Sequence, residues 1–531
     1  MGGTDSSSGV WNWVQAAPLR GCGRSRSRGQ YLTNKELDGL AALAYFGRAR
    51  DLHDPSGIIG ASRGERRVER RTPGGTAAVT DANPAERAAE SYRAVLLADE
   101  EVARATHEGL VEAHRRLRLM IRDRRLCNVM QPRFFAAGQA ETLGRTAAVI
   151  AGLLERAGEF LLRSDALLDQ VGASTEEREL WSIDPGYRGF TVTSRLDSFS
   201  GPDGIKFIEY NAESPAGIGF CDCLTQVFDR LPAMRAWAGD RLWSPQAQGR
   251  SHLLDALLRA YREWGGAGSP SIAVIDWPDV VTGRDFELCA EHFRERGVET
   301  VIADPRLLEY RGGKLWAGDQ AITLVYRRAL LHELIDRAQE VEPLLQAYRD
   351  GAVCMVNSPR SKLLHKKTVF ALLSEGVLDV AMSDEERRVM EGTIPWTRRV
   401  RPGETDFHGR AVDLYRLLID EKDRFAVKPA DDYGGKGILL GWDMDEEPWE
   451  RALETAFAGD YIVQERVPVP EGPFPIWDDG VKLVSMWVDT NPLLFDGQMG
   501  CILTRMSGSP LLNVTAGTGS SAPTLLVEEA E

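Results

Sequence analysis

Four polar side chains suited to metal and anion chemistry lie close together in this 531-residue chain. Arg195 and Asp197 alternate along one predicted strand, and Glu209 and Asn211 alternate along the next. The turn between the strands predicts a hairpin with a three-residue loop centred on Asp203. In that register Asp197 lies opposite Glu209 and Arg195 opposite Asn211. All four side chains are then expected on one face of the hairpin.

This arrangement supports two interpretations. Two opposed carboxylates repel each other, and a divalent cation that takes oxygen atoms from Asp197, Glu209 and Asn211 would offset the repulsion. Such hard oxygen ligands suit magnesium. The alternative is a solvated hairpin in which Arg195 and Asp197 form an ion pair. The spacing alone does not choose between them.

A second group of residues has the character of a phosphate-binding loop. A predicted strand that carries Lys428 is followed by three glycines around a lysine. Glycines allow the backbone to approach phosphate oxygens closely, and the ammonium group of a lysine contacts them as a point charge. The loop lacks Walker A spacing, and a plain turn is the alternative. The residues of the loop are Gly434, Gly435, Lys436 and Gly437.

A short apolar strand, Tyr461–Glu465, follows the loop and runs into Gln464 and Glu465. Taken alone, it predicts an edge strand. Placed after a lysine strand and a glycine loop, it is similar to a hinge between two lobes, where backbone groups pair with adenine.

The elements that position these residues follow from the periodicity of the apolar side chains. Arginine-rich tracts near the start predict a flexible, solvated segment, and spacing by three and four residues further on predicts amphipathic helices. We therefore divide the chain into five parts. These are a flexible region at 1–82, a helical segment at 83–188, the hairpin with linking helices at 189–269, a βαβ subdomain at 270–350, and a lobe that carries the glycine loop, with closing strands, at 351–531.

Within the βαβ subdomain, two predicted strands flank a helix. The strands are expected at Ile272–Asp276 and Glu299–Ala303, with the helix at Arg284–Arg296 between them. Strand and helix alternation favours a parallel sheet. Arg327 and Arg328 end a later strand and could contact a substrate carboxylate, although surface arginines are the alternative.

Composition limits the functional classes. Hydrophobic residues make up 43% and charged residues 27% of the chain, which is typical of a globular protein, and the length predicts two or three structural units. A net charge of -15 disfavours nonspecific binding to nucleic acid or anionic lipid. Seven scattered cysteines and the lack of a long apolar run favour a cytoplasmic protein without a zinc site.

The order of these motifs resembles that of the ATP-grasp superfamily. In that superfamily a first lysine, a second lysine on a strand, a glycine-rich flap and an acidic hinge strand clasp ATP. The resemblance implies that Lys367, or its neighbour Lys366, is the first lysine and that Lys428 is the second. It also implies that the loop at 434–437 is the flap and that the strand ending in Gln464 and Glu465 is the hinge.

The hairpin precedes the nucleotide lobe, an order that suggests circular permutation. The stretches Ser194–Asp197 and Phe207–Pro215 are similar to those of glutathionylspermidine synthetase and related circularly permuted ATP-grasp proteins. There, such stretches supply magnesium ligands and an anion-binding arginine, here Arg195. Arg505 matches the late arginine beside the transferred phosphate. The resemblance implies an α/β, ATP-grasp-like fold with a Rossmann-like subdomain and an N-terminal helical segment.

The implied activity is an ATP- and magnesium-dependent ligation. A substrate carboxylate would attack the γ-phosphate of ATP, and an amine would capture the acyl phosphate as an amide with release of ADP. The expected partners are thus a small-molecule or peptide carboxylate and an amine. Two alternatives remain, namely a small-molecule kinase and a non-catalytic nucleotide-binding protein.

Overall fold

The computed structural model of the chain describes residues 83–201, 204–239, 243–245, 248–378, 381–432, 435–509, 512 and 519–528. The region predicted to be flexible, 1–82, lies outside the described residues, and so does Gly434 of the glycine loop. None of the described helices combines the length and apolar character needed to cross a bilayer.

Helices dominate the first described segment, as the apolar periodicity predicted. They are α1 (Pro84–Ala98), α2 (Glu100–Leu117), α3 (Ala137–Leu161), α4 (Asp165–Gln170) and α5 (Thr175–Ser182), with short strands β1 (Met120–Ile121), β2 (Arg124–Arg125) and β3 (Arg133–Ala136). A capping box between Ser174 and Glu177 starts α5. The expectation of helix throughout this segment is wrong at the three strands. β3 extends because it pairs with a distant strand at Thr524–Val527, which local periodicity does not reveal.

The predicted hairpin and its linking helices follow. They are β4 (Thr193–Gly201), β5 (Gly204–Asn211), α6 (Ile218–Phe228), α7 (Pro232–Ala238), β6 (Trp243–Pro245) and α8 (Gly249–Glu263). Leu196 and Tyr210 on the back of the hairpin are buried in a hydrophobic core that includes Leu153 and Leu154 of α3. The apolar face opposite the four polar residues therefore anchors the hairpin, and its polar face is presented to the site.

A parallel sheet comes next, as strand and helix alternation predicted. Its elements and the small antiparallel sheet beside it are β7 (Ile272–Ile275), α9 (Gly283–Glu295), β8 (Thr300–Ala303), a 3-10 turn at Pro305–Leu307, β9 (Leu308–Arg311), β10 (Lys314–Ala317), β11 (Gln320–Ile322), β12 (Leu324–Arg327), α10 (Leu331–Asp336), α11 (Glu342–Arg349) and β13 (Cys354–Val356). The parallel order is β13-β12-β7-β8, and the antiparallel order is β11-β10-β9.

The predicted nucleotide lobe is built on a four-stranded sheet. The elements in this part of the chain are α12 (Ser361–His365), α13 (Thr368–Ser374), α14 (Asp384–Thr393), β14 (Thr397–Arg399), β15 (Glu404–Phe407), β16 (Arg410–Asp413), α15 (Leu414–Asp420), a 3-10 turn at Lys422–Arg424, β17 (Phe425–Pro429), β18 (Leu439–Leu440), a 3-10 turn at Gly441–Asp443, α16 (Glu446–Ala458) and β19 (Tyr461–Glu465). The sheet order is β14-β19-β17-β18. β19 is an internal strand and not the edge strand that its sequence would indicate in isolation, because β14 pairs with its other side.

The closing strands join the hairpin in a seven-stranded antiparallel sheet. They are β20 (Glu471–Trp477), β21 (Val481–Val488), β22 (Asn491–Phe495), β23 (Gln498–Ser507), β24 (Ser520–Ala522) and β25 (Thr524–Val527). The order is β20-β21-β23-β22-β4-β5, with β24 on β23, whereas β25 pairs with β3 and β6. This order brings the residues near 500 beside the hairpin at 193–211, about 300 positions earlier. The described chain is thus a mixed α/β structure.

Candidate active site

The register of β4 and β5 at the four polar residues is confirmed. The ladder pairs Arg195 with Asn211 and Asp197 with Glu209. Directly opposed residues of an antiparallel pair project from the same face of the sheet. The four side chains therefore lie together.

The turn behind this register differs from the predicted one. Gly201 pairs with Gly204, so two residues separate the strands instead of a three-residue loop centred on Asp203, and those two lie outside the described residues. The ladder shifts just beyond Asp197, where Ile208 is an extra, unpaired residue that makes a bulge in β5. The extra residue in the bulge compensates for a turn that is one residue shorter than predicted. Without it, the two carboxylates would not oppose each other.

Two arginines surround the carboxylate of Asp197, which is 5% exposed. Arg195 donates from Nε to Oδ1 at 2.6 Å, and Arg505 on β23 donates from Nη2 to Oδ2 at 2.7 Å. Burial alone would raise the pKa of Asp197, but the charges and hydrogen bonds of the two arginines hold this pKa well below its usual value. The ion pair of the alternative interpretation is therefore present, but it is buried rather than solvated.

Lys367 faces the second carboxylate. Its Nζ lies 3.1 Å from Glu209 Oε1 and also donates to the backbone oxygen of Asp432, at the start of the glycine loop. Burial opposes the ionisation of Glu209, but the charge of Lys367 outweighs that effect, and the pKa of Glu209 lies below its usual value. Lys366 points elsewhere, with its Nζ 3.0 Å from Asp431 Oδ2. Of the two candidate first lysines, Lys367 is the one beside the hairpin.

Lys428 lies on β17 and approaches the hairpin from the nucleotide lobe. Its Nζ donates to Gln464 Oε1 at 2.8 Å and lies 3.5 Å from the backbone oxygen of Ile208. Burial lowers the pKa of Lys428 to about 8, with Glu209 opposing the shift and Lys367 adding to it. Gln464 is itself held by Thr397, to which its Nε2 donates at 3.1 Å.

Glu465 is not brought to the lysines. Adjacent residues of a strand point to opposite faces, so Gln464 faces Lys428 and Glu465 faces away. Its carboxylate lies 2.7 Å from Arg424 Nη2 and 2.9 Å from His408 Nε2, at the rim of a surface pocket of about 370 Å³. The backbone N–H of Glu465 already donates to Trp396 in the sheet. This N–H is therefore already used within the protein.

The described part of the glycine loop lies over Lys367 and Glu209 and closes a small cavity with them. Gly435 and Gly437 have φ angles of +78° and +66°, a region that residues other than glycine rarely adopt. A Cβ on Gly437 would also lie 2.8 Å from Pro429 Cγ. The glycines are thus required for the path of the loop, whatever it binds.

The hairpin offers a hard-oxygen donor set for magnesium. Asp197 and Glu209 oppose each other, and Asn211 is adjacent with its buried Nδ2 lacking any hydrogen-bond partner among the described residues. Within the same part of the chain, no group of three or more His, Cys, Asp and Glu side chains is arranged to hold a metal. A cation here would therefore need the amide oxygen of Asn211 as its third protein ligand. Two carboxylates and an amide are chemically suited to magnesium.

Three further acidic residues of the site were given no role from the sequence, although Glu213 lies within the stretch Phe207–Pro215 and Asp431 lies just before the glycine loop. Asp489 binds both the backbone N and the Nε of Arg505, each at 2.6 Å. Asp431 binds Lys362 and Lys366 at the foot of the loop, and Glu213 binds the fully buried Arg327 at 2.9 Å. Their partners are mostly far away in the chain, so local periodicity cannot reveal them.

Comparison with known proteins bears on the fold. No protein-family model matches the sequence, and no curated protein matches it. A glutathione synthetase-like effector from Globodera pallida, solved in its apo form, is 11% identical with a TM-score of 0.52, covering 79% of this chain and 96% of that one.

Two further structures are less similar. A putative gamma-glutamylcysteine synthetase from Methylobacillus flagellatus is 12% identical with a TM-score of 0.39, covering 70% of this chain and 87% of its own. The D-cycloserine synthetase DcsG is 15% identical with a TM-score of 0.22, covering 41% and 67%. The match to the Globodera pallida effector shows that the chain has a mixed α/β fold similar to that of a glutathione synthetase-like protein.

Proposed function

We propose that this chain is an ATP- and magnesium-dependent carboxylate–amine ligase with a circularly permuted ATP-grasp arrangement. One observation carries the proposal: the opposed pair Asp197 and Glu209 lies between two arginines on one side and two lysines on the other. A structural hairpin has no need for so many buried charges, whereas phosphoryl transfer requires opposed positive and negative groups at one point.

In the proposed site, Asp197, Glu209 and Asn211 hold magnesium. Magnesium bound there supplies charge neutralisation for the phosphate oxygens. Lys367 and Lys428 contact the phosphates directly. Both now contact protein oxygens, and phosphate oxygens would replace those partners.

Arg195 and Arg505 neutralise the group in transfer. A carboxylate oxygen of the substrate attacks the γ-phosphorus while the bond to the leaving ADP oxygen breaks. The amine nitrogen then attacks the acyl carbon, inorganic phosphate leaves, and the nitrogen loses a proton. The described part of the glycine loop, 435–437, covers the site and excludes water from the acyl phosphate.

The test is magnesium-dependent release of ADP in the presence of paired carboxylates and amines, with products identified by mass spectrometry. Asp197→Asn and Glu209→Gln should each lower turnover by at least about a hundredfold, because each removes a charge that holds the cation. Glu447→Gln, at an exposed ion pair on α16, is the matched control and should not change turnover.

Three outcomes would contradict the proposal. Full magnesium-dependent turnover in both variants would exclude the metal assignment. A stable phosphorylated product without an amide would identify a kinase, and nucleotide binding without turnover of any pair would identify a binding protein.

A further inference from the structure

The parallel sheet has a topological switch point at the carboxyl ends of two neighbouring strands, the position at which open α/β sheets form a ligand-binding crevice. The strand order is β13-β12-β7-β8. The chain passes from β7 to its neighbour β8 in one direction across the sheet, and from β12 to its neighbour β13 in the opposite direction. The connections that follow β7 and β12 therefore leave in opposite directions, and such switch points are where open α/β sheets bind ligands. Asp276 directly follows β7, and Arg328 directly follows β12.

Arg328 is a buried guanidinium that lacks a carboxylate partner. It is 5% exposed, and its Nη1 donates to the backbone oxygen of Pro215 at 2.7 Å and to Tyr326 Oη at 3.3 Å. Across the described residues, no carboxylate oxygen lies within 4.0 Å of its nitrogens, and its buried Nε has no hydrogen-bond partner. A buried donor without a partner costs about 1–3 kcal/mol, so its presence requires an explanation.

The unpartnered edge of Arg328 has the geometry that binds a carboxylate. Because Nη1 is occupied, the edge formed by Nε and Nη2 remains. Elsewhere in this protein the same edge binds a carboxylate side-on, in Arg195 with Asp197 and in Arg399 with Glu375. This two-donor contact is the strongest form of arginine recognition.

Asp276 lies beside Arg328 without pairing to it. Arg327 is in register with Ile275, so the next residue of each strand emerges at the same level of the sheet. Asp276 is 8% exposed, and its Oδ1 accepts only from the backbone N–H of Trp277 in the described chain. Two buried groups of opposite charge thus lie on adjacent strands within electrostatic range of each other, and among the described residues neither forms an ion pair within 4.0 Å.

This crevice adjoins the proposed active site. Arg328 donates to the carbonyl of Pro215, and Arg195 donates to the carbonyl of the next residue, Ala216, at 2.9 Å. Only the dipeptide Pro215–Ala216 therefore lies between a ligand at Arg328 and the predicted anion-binding residue Arg195. Asp285, which is also buried nearby, is excluded as a ligand group because Gly217 and Phe220 donate to its two oxygens.

We propose that this crevice binds the free α-amino and α-carboxylate groups of an amino-acid substrate, with the carboxylate side-on to Nε and Nη2 of Arg328 and the ammonium against Asp276. One zwitterion would satisfy both unpaired groups at once. The proposal rests on the proposed function only in calling this ligand a substrate of the ligase.

Calorimetric titration tests the crevice directly. The probes are the proteinogenic L-amino acids, each supplied free, as its C-terminal amide and as its N-acetyl derivative, with and without magnesium and a non-hydrolysable ATP analogue. At least one free amino acid should bind the wild-type chain about tenfold or more tighter than either derivative, because each derivative removes one charge-assisted contact.

The variants assign the two ends of the ligand. Arg328→Gln should abolish the preference for the free acid over the amide, and Asp276→Asn should abolish the preference over the N-acetyl derivative. Arg328→Lys keeps the charge without the two-donor edge and should retain only part of the preference. Arg306→Gln is the control at the same sheet edge, since Asp304 already pairs with that arginine.

The inference is overturned if no free amino acid binds better than its derivatives, or if Arg328→Gln and Arg328→Lys, both melting like the wild type, keep the full preference. Should Arg328→Gln melt early, Arg328→Lys alone decides. Failure of the proposed ligase function is distinguishable, because it would appear as loss of binding to the ATP analogue while amino-acid binding persists.

Discussion

The ammonium group of Lys428 is held in the site by Gln464 and by a backbone oxygen of the hairpin bulge. Burial lowers its pKa to about 8, whereas Asp197 and Glu209 have lowered pKa values and stay ionised at neutral pH. Of these three groups, only Lys428 changes charge just above neutrality. These residues thus differ in the pH range over which they are charged, and this difference can be measured.

The affinity for nucleotide should fall as pH rises through about 8, approaching a tenfold loss per pH unit, because phosphate binding requires the protonated form of Lys428. Calorimetry with a non-hydrolysable ATP analogue across that range measures the slope. Lys428→Arg should remove it, since a guanidinium remains charged. An unchanged slope in this variant would assign the titration to another group.

At the scale of elements, strands from distant parts of the chain each contribute one side chain to the candidate site. β23 carries Arg505 to the hairpin, and Asp489, between β21 and β22, holds both the backbone and the Nε of Arg505. Asp489 is 1% exposed and does not lie among the proposed ligands of metal or phosphate. It is therefore a positioning residue for Arg505.

Asp489→Asn should lower kcat by about ten- to a hundredfold and leave the KM for ATP nearly unchanged, because Arg505 acts mainly on the group in transfer. Steady-state kinetics with ATP varied separates the two parameters. Asp478→Asn, at an exposed pair with Lys482 between β20 and β21, is the matched control. An equal effect on KM and kcat, or an effect of the control, would contradict the positioning role.

At the scale of the whole molecule, buried ion pairs join elements that are far apart in the chain. Glu213, after the hairpin, binds Arg327 at 2.9 Å and lies 3.3 Å from Lys362, and Lys362 also binds Asp431 beside the glycine loop. Burial alone would raise the pKa of Glu213, but the charges of Lys362 and Arg327 lower it to about 2. The hairpin, the parallel sheet and the nucleotide lobe meet at this carboxylate.

Glu213→Gln should destabilise the fold by about 3–5 kcal/mol, because it leaves Arg327 and Lys362 buried without their shared counter-ion. Since the folded-state pKa is depressed, the stabilisation in the wild type is present above the unfolded value near 4.5 and is lost as pH falls toward 2. Urea denaturation at neutral pH measures the effect. Glu100→Gln, at an exposed ion pair on α2, should change stability by less than about 1 kcal/mol.

Equal urea-denaturation midpoints for Glu213→Gln and the wild type would contradict a structural role for the buried ion pairs of Glu213. A loss in Glu100→Gln as large as that in Glu213→Gln would show that burial of the pair is not the cause.

Sequence patterns determined those features that depend on neighbours along the chain. Alternation placed Arg195 with Asp197 on one face of the first strand and Glu209 with Asn211 on one face of the second, and apolar periodicity placed β17 at Phe425–Pro429 and predicted the parallel sheet. These features follow from local backbone geometry, which nearby residues control.

Tertiary structure alone decided the rest. The internal position of β19 and the role of Asp489 depend on segments that are distant in the chain, and the bulge at Ile208, within the hairpin itself, cannot be read from the residue spacing. Pairing over long sequence separations is set by the packing of the whole chain, and a single sequence carries no local record of it. The four polar residues were therefore predictable as a group from their spacing, and the resemblance named Arg505, Lys367 and Lys428, whereas the contacts that these three residues make required the fold.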